Sequence, residues 1–248
     1  MKLSVCTDAV FYGQETTQAL SQLSEIGWRA FEFWSWWDKD VEVILQAKER
    51  LGLTAVSHCT HFISLVDEAQ RDAYIEGLQA TIETAKRLGV KTIISQVGDD
   101  LGISRAVQKQ CLVAGLKTAV SYLQNANMQL VIEPLNILVD HPGYFLIASD
   151  EGFEIIEEVN SPHVKLLFDI YHQQISEGHL IRRIVDNIDK IGHFHAAGNP
   201  GRHELDFGEL NYSEIFKAIR ATDYDGYVGL EYFPQNDPIS GLMPLIEH

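Results

Sequence analysis

Four apolar runs end in a residue able to bind a cation or carry a proton. They are "VIEPLN" (131–136), "LLFDIYH" (166–172), "GHFHAAG" (192–198) and "VGLEYF" (228–233), and the residues are Glu133, Asp169, His195 and Glu231. Val131 and Ile132 read as buried strand, so the charge of Glu133 costs free energy unless something pairs with it. Taken singly, an acid at a strand end reads as a helix cap or ion-pair partner, and a lone histidine such as His193 reads as a satisfied core residue. Four in succession are harder to explain that way. Three carboxylates and one imidazole converging at one place repel each other, and a divalent cation resolves the conflict. Three oxygen donors with one imidazole suit Mn²⁺, Mg²⁺ or Co²⁺.

The elements that must position these residues are legible from punctuation. "SEIG-WRAFEF" (24–33), "ERLG-LTAVSH" (49–58) and "KRLG-VKTIIS" (86–95) each close a helical pattern at glycine and begin a strand, and "DYDG-YVGLEY" (223–232) is a looser copy. Glycine supplies the left-handed residue after a helix, and repeated helix–glycine–strand junctions mark a parallel α/β sheet. Over 67–88, Tyr74, Leu78, Ile82, Ala85 and Leu88 form one helical stripe, with Asp67 and Glu68 at the start and Lys86 and Arg87 at the end to suit the helix dipole. A second long helix is expected over 104–127, and "SDEGFEIIEEV" opens another with Ser149 or Asp150 as N-cap. Strands are expected at 2–7, 29–34, 53–58, 91–96, 129–133, 164–169, 191–195 and 227–231. Eight strands alternating with helices across 248 residues predict a (β/α)8 TIM barrel forming one domain over 1–248. A doubly wound open sheet is the alternative, but "CTDAVFYG" after the first strand is not the GxGxxG phosphate fingerprint. In a barrel the C-terminal strand ends converge on the active site, which is where the four residues above fall.

Composition narrows the function. A formal charge of −16 opposes a nucleic-acid or anionic-membrane partner, since both need a basic footprint. No apolar run approaches the roughly 20 residues of a membrane span, and "MKLSVCTDAV" lacks a leader's apolar core. Cys6, Cys59 and Cys111 are odd in number and contain no CxxC pair, so buried reduced thiols and a cytoplasmic location are expected.

"VIEPLN", "LLFDIYHQQISEG", "IGHFHAAGNPGRHELDFGELNY" and "GYVGLEYFP" resemble the xylose isomerase-like TIM-barrel superfamily, most closely the hydroxypyruvate isomerase family. The detailed match covers residues 129–234, whereas "FWSWWDKD" and "SHCTHFISL" in the N-terminal half do not match closely. The resemblance implies that Glu133, Asp169, His195 and Glu231 ligate one divalent metal ion, with Glu133 and Glu231 doubling as acid/base groups. It also implies that His172 hydrogen-bonds a substrate oxygen; without the resemblance, His172 reads as a surface-loop residue. Hydroxypyruvate isomerases typically carry glutamine at the position of His195, and the related ketose 3-epimerases carry histidine there. The epimerases have a second glutamate shortly after the fifth-strand glutamate, and here that stretch is "NILVDHPGYF". Asn136 and the missing glutamate therefore favour the isomerase side.

The implied chemistry moves a carbonyl between adjacent carbons of a small hydroxy-oxo acid or sugar, through an enediolate that one carboxylate can serve. Epimerisation at C3 of a ketose, which needs a carboxylate on each face, is the alternative. A barrel that binds sugars without turnover is a third reading, and a DNA-repair nuclease on this fold is opposed by the charge. Arg202, after the seventh strand, is the best candidate to clamp a substrate carboxylate or hydroxyl. His58 ends the third strand and is a pocket-lining candidate, as is Asn136; His61 is a weaker one. Trp34, Trp36 and Trp37 crowd the mouth after the second strand, where they would stack on a sugar, close a lid, pack, or meet another subunit; Phe11 is a weaker candidate of the same kind. Only 17 residues follow Glu231, and Pro234, Pro238 and Pro244 interrupt them. That leaves no room for a full eighth helix, so a short helix, the tail or a neighbouring copy must finish the wall, and a homo-oligomer is expected.

Overall fold

The computed structural model describes residues 1–245, and the three positions after them lie outside the description. Nine strands, β1 (Lys2–Cys6), β2 (Ala30–Glu32), β3 (Thr54–Ala55), β4 (Ser57–Cys59), β5 (Thr92–Ser95), β6 (Gln129–Ile132), β7 (Val164–Asp169), β8 (Ile191–Ala196) and β9 (Tyr227–Leu230), pair in parallel in the order β3-β2-β1-β9-β8-β7-β6-β5-β4. The two ends of that order are consecutive in the chain. β3 pairs with β2, β4 pairs with β5, and Val56 between them donates to Phe31 O at 2.8 Å. The expected third strand is thus one stave that bends at Val56, and the sheet forms the eight-stave barrel that the spacing predicts.

The helices α1 (Thr7–Val10), α2 (Thr16–Glu25), α3 (Val41–Leu51), α4 (Arg71–Leu88), α5 (Arg105–Ala126), α6 (Ser149–Val159), α7 (Ile170–Ser176), α8 (Leu180–Asp186), α9 (Tyr212–Arg220) and α10 (Pro238–Leu242) fill the connections. All five residues of the predicted α4 stripe are buried. Gly52 and Gly89 take the left-handed conformation at the ends of α3 and α4. Gly226 is not among the positive-φ glycines, because α9 has already ended at Arg220. The N-cap of α6 is Ala148 rather than Ser149 or Asp150; the Ser149 hydroxyl is taken instead by the Glu177 carboxylate. The eighth helix is the short α10, one turn that buries Leu242.

Strand parity sorts the side chains into two faces. Leu130, Ile132, Ile93, Leu166, Phe168 and Phe194 pack outward against the helices in the large core. Val131, Ile94, Leu167 and Cys59 form a separate small cluster inside the barrel, with Trp34 against it. Glu133, Asp169, His195 and Glu231 share the parity of the inner cluster. No helix among the described residues is long and apolar enough to cross a membrane.

Candidate active site

β6, β7, β8 and β9 bring Glu133, Asp169, His195 and Glu231 together. One oxygen or nitrogen of each lies within 4.8 Å of the others, and all four are buried. Asp169 is also the N-cap of α7, where one oxygen accepts from the backbone of Tyr171 at 2.8 Å and of His172 at 3.3 Å. That fixes the carboxylate at the strand end and leaves its other oxygen facing the cluster. Trp34 Nε1 donates to Glu231 at 2.5 Å.

Charge balance in this cluster is uneven. Burial pushes Asp169 up to about 7, against the pull of Arg202. Burial acts the same way on Glu231, but the positive His195 and Arg202 outweigh it and hold the carboxyl well below its usual range. Burial disfavours the imidazolium of His195, yet the charges of Glu231 and Glu32 raise it above the ordinary histidine value. His195 Nδ1 lies 3.4 Å from Glu133 and 3.3 Å from Glu231, without a hydrogen-bond partner. Glu133 Oε1 and His172 Nε2 are likewise buried without a partner. A neutral imidazole would aim its lone pair at carboxylate oxygens, which repels unless a cation sits between them. These residues therefore fit a divalent metal ion by donor type, clustering and unmet demand.

A cavity of about 170 Å³ opens over the cluster, lined among others by Trp34, Cys59, Phe62, Gln96, His141, His172 and Arg202. His172 is buried, not a surface-loop residue. Its Nδ1 faces the Asn136 side-chain amide at 2.7 Å and the Asn136 backbone N–H at 3.4 Å, both of them donors. Nδ1 must then be the acceptor, so the proton sits on Nε2, 3.6 Å from Asp169. Burial and the nearby Arg202 hold His172 well below the usual histidine value, which keeps it neutral. Arg202 takes a left-handed backbone conformation at φ 58° and donates to the Glu231 carboxylate, with its guanidinium over Tyr171 and Phe233.

Other predicted residues fall elsewhere. Asn136 does not line the cavity; it is buried behind His172 and bonded to Asp140 at 2.6 Å. His58 does not line it either. Ser57 and Cys59 point inward, so His58 between them points out, stacking on Phe33 at 5.5 Å. Trp34 lines the cavity, whereas Trp37 stacks on His61 at 4.3 Å and Trp36 bonds Thr81 at 3.2 Å. His61 thus belongs to an aromatic packing cluster, and Phe11 is a core residue.

Glu32 was missed although "AFEF" repeats the pattern of an apolar run ending in an acid. It lies on the inner face below His195 and accepts from Ser4, Ser57 and His193. Burial opposes its charge, but His193 and His195 hold its carboxyl well below the ordinary range. His193 is the satisfied core histidine that its position suggested. Phe62, Gln96 and His141 carried no signal, because loops place them.

Residues 20–246 match the model of the xylose isomerase-like TIM barrel family. The chain is 32% identical over 254 residues to the hydroxypyruvate isomerase of Escherichia coli, covering 98% of this chain and 97% of the relative. The chain belongs to the hydroxypyruvate isomerase family of xylose isomerase-like barrels. It is also 39% identical over 138 residues to the 2-oxo-tetronate isomerase of Cupriavidus necator, a match covering 56% of this chain and 53% of that one. Among solved structures, one described as AP endonuclease, family 2, from Brucella melitensis superposes with a TM-score of 0.95 at 26% identity, covering 100% of this chain and 99% of that one.

Proposed function

We propose that this isomerase uses one divalent metal ion to interconvert 3-hydroxy-2-oxo and 2-hydroxy-3-oxo forms of a small acid, with hydroxypyruvate as the named substrate. The observation that carries this is the four-residue cluster with unmet donor atoms at the floor of a small cavity. Glu133, Asp169, His195 and Glu231 would hold the metal. When bound, it supplies Lewis-acid stabilisation of negative charge developing on neighbouring substrate oxygens. Of Mn²⁺, Mg²⁺ and Co²⁺, the imidazole favours Mn²⁺ or Co²⁺ over Mg²⁺.

The side chains supply the rest. A carboxylate of Glu133 or Glu231 takes the proton from the hydroxyl-bearing carbon, and the electron pair becomes the enediolate double bond. The same carboxylate returns the proton to the former carbonyl carbon, while the hydroxyl proton passes to the other oxygen. His172, neutral and held by Asn136, donates through Nε2–H to a substrate oxygen. Among the described residues Arg202 is the only arginine or lysine lining the cavity, and its fork matches a substrate carboxylate. Closing over that carboxylate would relieve Arg202 of its pairing with Glu231 and leave the Glu231 carboxylate more basic.

Size supports the small acid. A cavity of about 170 Å³ is smaller than the roughly 300–1,000 Å³ of pockets for drug-sized ligands. The E. coli and C. necator relatives are named for small oxo acids. His195 is the feature that favours the ketose epimerase reading. Incubation of metal-loaded protein in D₂O with hydroxypyruvate, and separately with fructose, tagatose and ribulose, distinguishes them by NMR. Proton movement between neighbouring carbons of hydroxypyruvate is expected; C3 inversion of a ketose with no reaction of hydroxypyruvate would overturn the proposal. We further place the protein in the cytoplasm, where the free thiols of Cys6, Cys59 and Cys111 would stay reduced, and propose that it acts as a homo-oligomer, checked by sedimentation at micromolar concentration.

A further inference from the structure

Beneath His195 lies a buried carboxylate that the proposed reaction does not use. Glu32 Oε2 accepts from His193 Nε2 at 2.9 Å, Ser57 Oγ at 3.0 Å and Ser4 Oγ at 3.1 Å. Its other oxygen, Oε1, lies 2.9 Å from His195 Nε2, and neither atom has a hydrogen-bond partner elsewhere. Backbone space is reserved for this approach: a Cβ on Gly229 would stand 1.8 Å from Glu32 Oε1 and 2.8 Å from His195 Cδ2. Three donors on one oxygen thus aim the second at the underside of the imidazole.

With a metal on one ring nitrogen, the imidazole of His195 keeps a single proton, on the other nitrogen. Above the ring, Glu133 and Glu231 lie 3.4 and 3.3 Å from Nδ1 and attract the proton there, where it would block coordination. Below the ring, Glu32 attracts it to Nε2. We infer that Glu32 is a positioning residue for the metal centre, holding the proton of His195 on Nε2 so that Nδ1 is the ligand atom. The inference rests on the metal-site reading above. Ser4, Ser57 and His193 hold the Glu32 carboxylate aimed at His195, so the device comprises four side chains and one glycine. A carboxylate behind a metal-bound histidine typically contributes about 10–100-fold to metal affinity.

The experiment is a Co²⁺ titration of the full chain, followed by visible absorption and calorimetry, on wild type, E32Q and S57A. Long-range ¹H–¹⁵N spectra of the histidine rings accompany it. Wild type should bind one Co²⁺, with His195 Nδ1 shifting on metal binding and Nε2 keeping its proton. E32Q, shown to be folded by its cooperative melt, should bind Co²⁺ about 10–100-fold more weakly with an altered visible spectrum. S57A leaves two donors on Oε2 and should show a smaller loss in the same direction. Unchanged affinity and spectrum in folded E32Q, or coordination through Nε2, overturns the inference while leaving the metal site intact. If E32Q does not fold, unchanged Co²⁺ binding in S57A overturns it. A wild type that binds no Co²⁺ sinks the metal-site reading first, and this inference with it.

Discussion

Two layers of buried carboxylate occupy the barrel interior, one above the other, and they differ in how their oxygens are satisfied. In the lower layer Glu32 Oε2 takes three donors, and Oε1, without a hydrogen bond, faces His195 Nε2 at 2.9 Å. In the upper layer Glu133 Oε1, His195 Nδ1 and His172 Nε2 have none, and Asp169 is pushed up to about 7 by burial. Both layers are buried on the inner face of the barrel and meet on β8, which carries His193 and His195, so burial alone does not separate them. An unmet buried polar group costs roughly 1–3 kcal/mol. Concentrating several at the floor of one cavity gives up stability that a bound cation and substrate would return.

The largest expected effect breaks the upper layer. Glu231→Gln keeps the volume and removes a carboxylate that would bind metal and face substrate, so turnover should fall by about 10³-fold or more, measured as initial rate at saturating metal. His172→Phe removes the Nε2–H donor and should lower kcat by about 10²-fold while metal affinity stays within a few-fold; a parallel loss of metal would place His172 among the ligands instead. His58, one residue out of phase with both layers, sharpens the contrast through pH. Burial pulls it from 6.5 down to about 4, so between those values the unfolded chain holds more protons and stability falls with acidification. Its contribution is full above about pH 6.5 and is lost as pH falls through 4, at most about 3 kcal/mol. In His58→Phe the acid limb of the stability curve should flatten over that window, followed by urea melts at stepped pH. The smallest effect is at the rim: Trp37→Ala removes a ring that stacks on His61 and should change KM less than about 3-fold with kcat unchanged, because no reacting atom is near.

The upper layer was legible in the sequence because a charge at the end of a β-branched run is costly and four such runs came in order. The staves were legible to within about two residues because helix ends are punctuated ahead of the strands, by Gly52 and Gly89 after α3 and α4 and by the left-handed Asn127 and Asn160 after α5 and α6. His58 could have been placed by the same alternation: with Cys59 inward, its neighbour must face out. The run of Glu32 obeys the same rule, but its partners Ser4, Ser57 and His193 come from three other strands and leave no local signal. Asn136 reads as a substrate contact until the fold shows His172 between it and the cavity, which is a tertiary fact with no local signal. The same holds for Trp36 and Trp37, whose partners Thr81 and His61 come from other elements.

The central claim is that the upper layer is open because it holds a metal. Metal analysis of wild type, Glu133→Gln and Asp169→Asn, each purified without chelator, tests it most directly. Wild type should carry about one divalent ion per chain, from the single upper-layer ligand set. Both variants should lose it while retaining a cooperative melt. Equal metal in all three proteins, or none in wild type even after loading with Mn²⁺ or Co²⁺, would contradict the account.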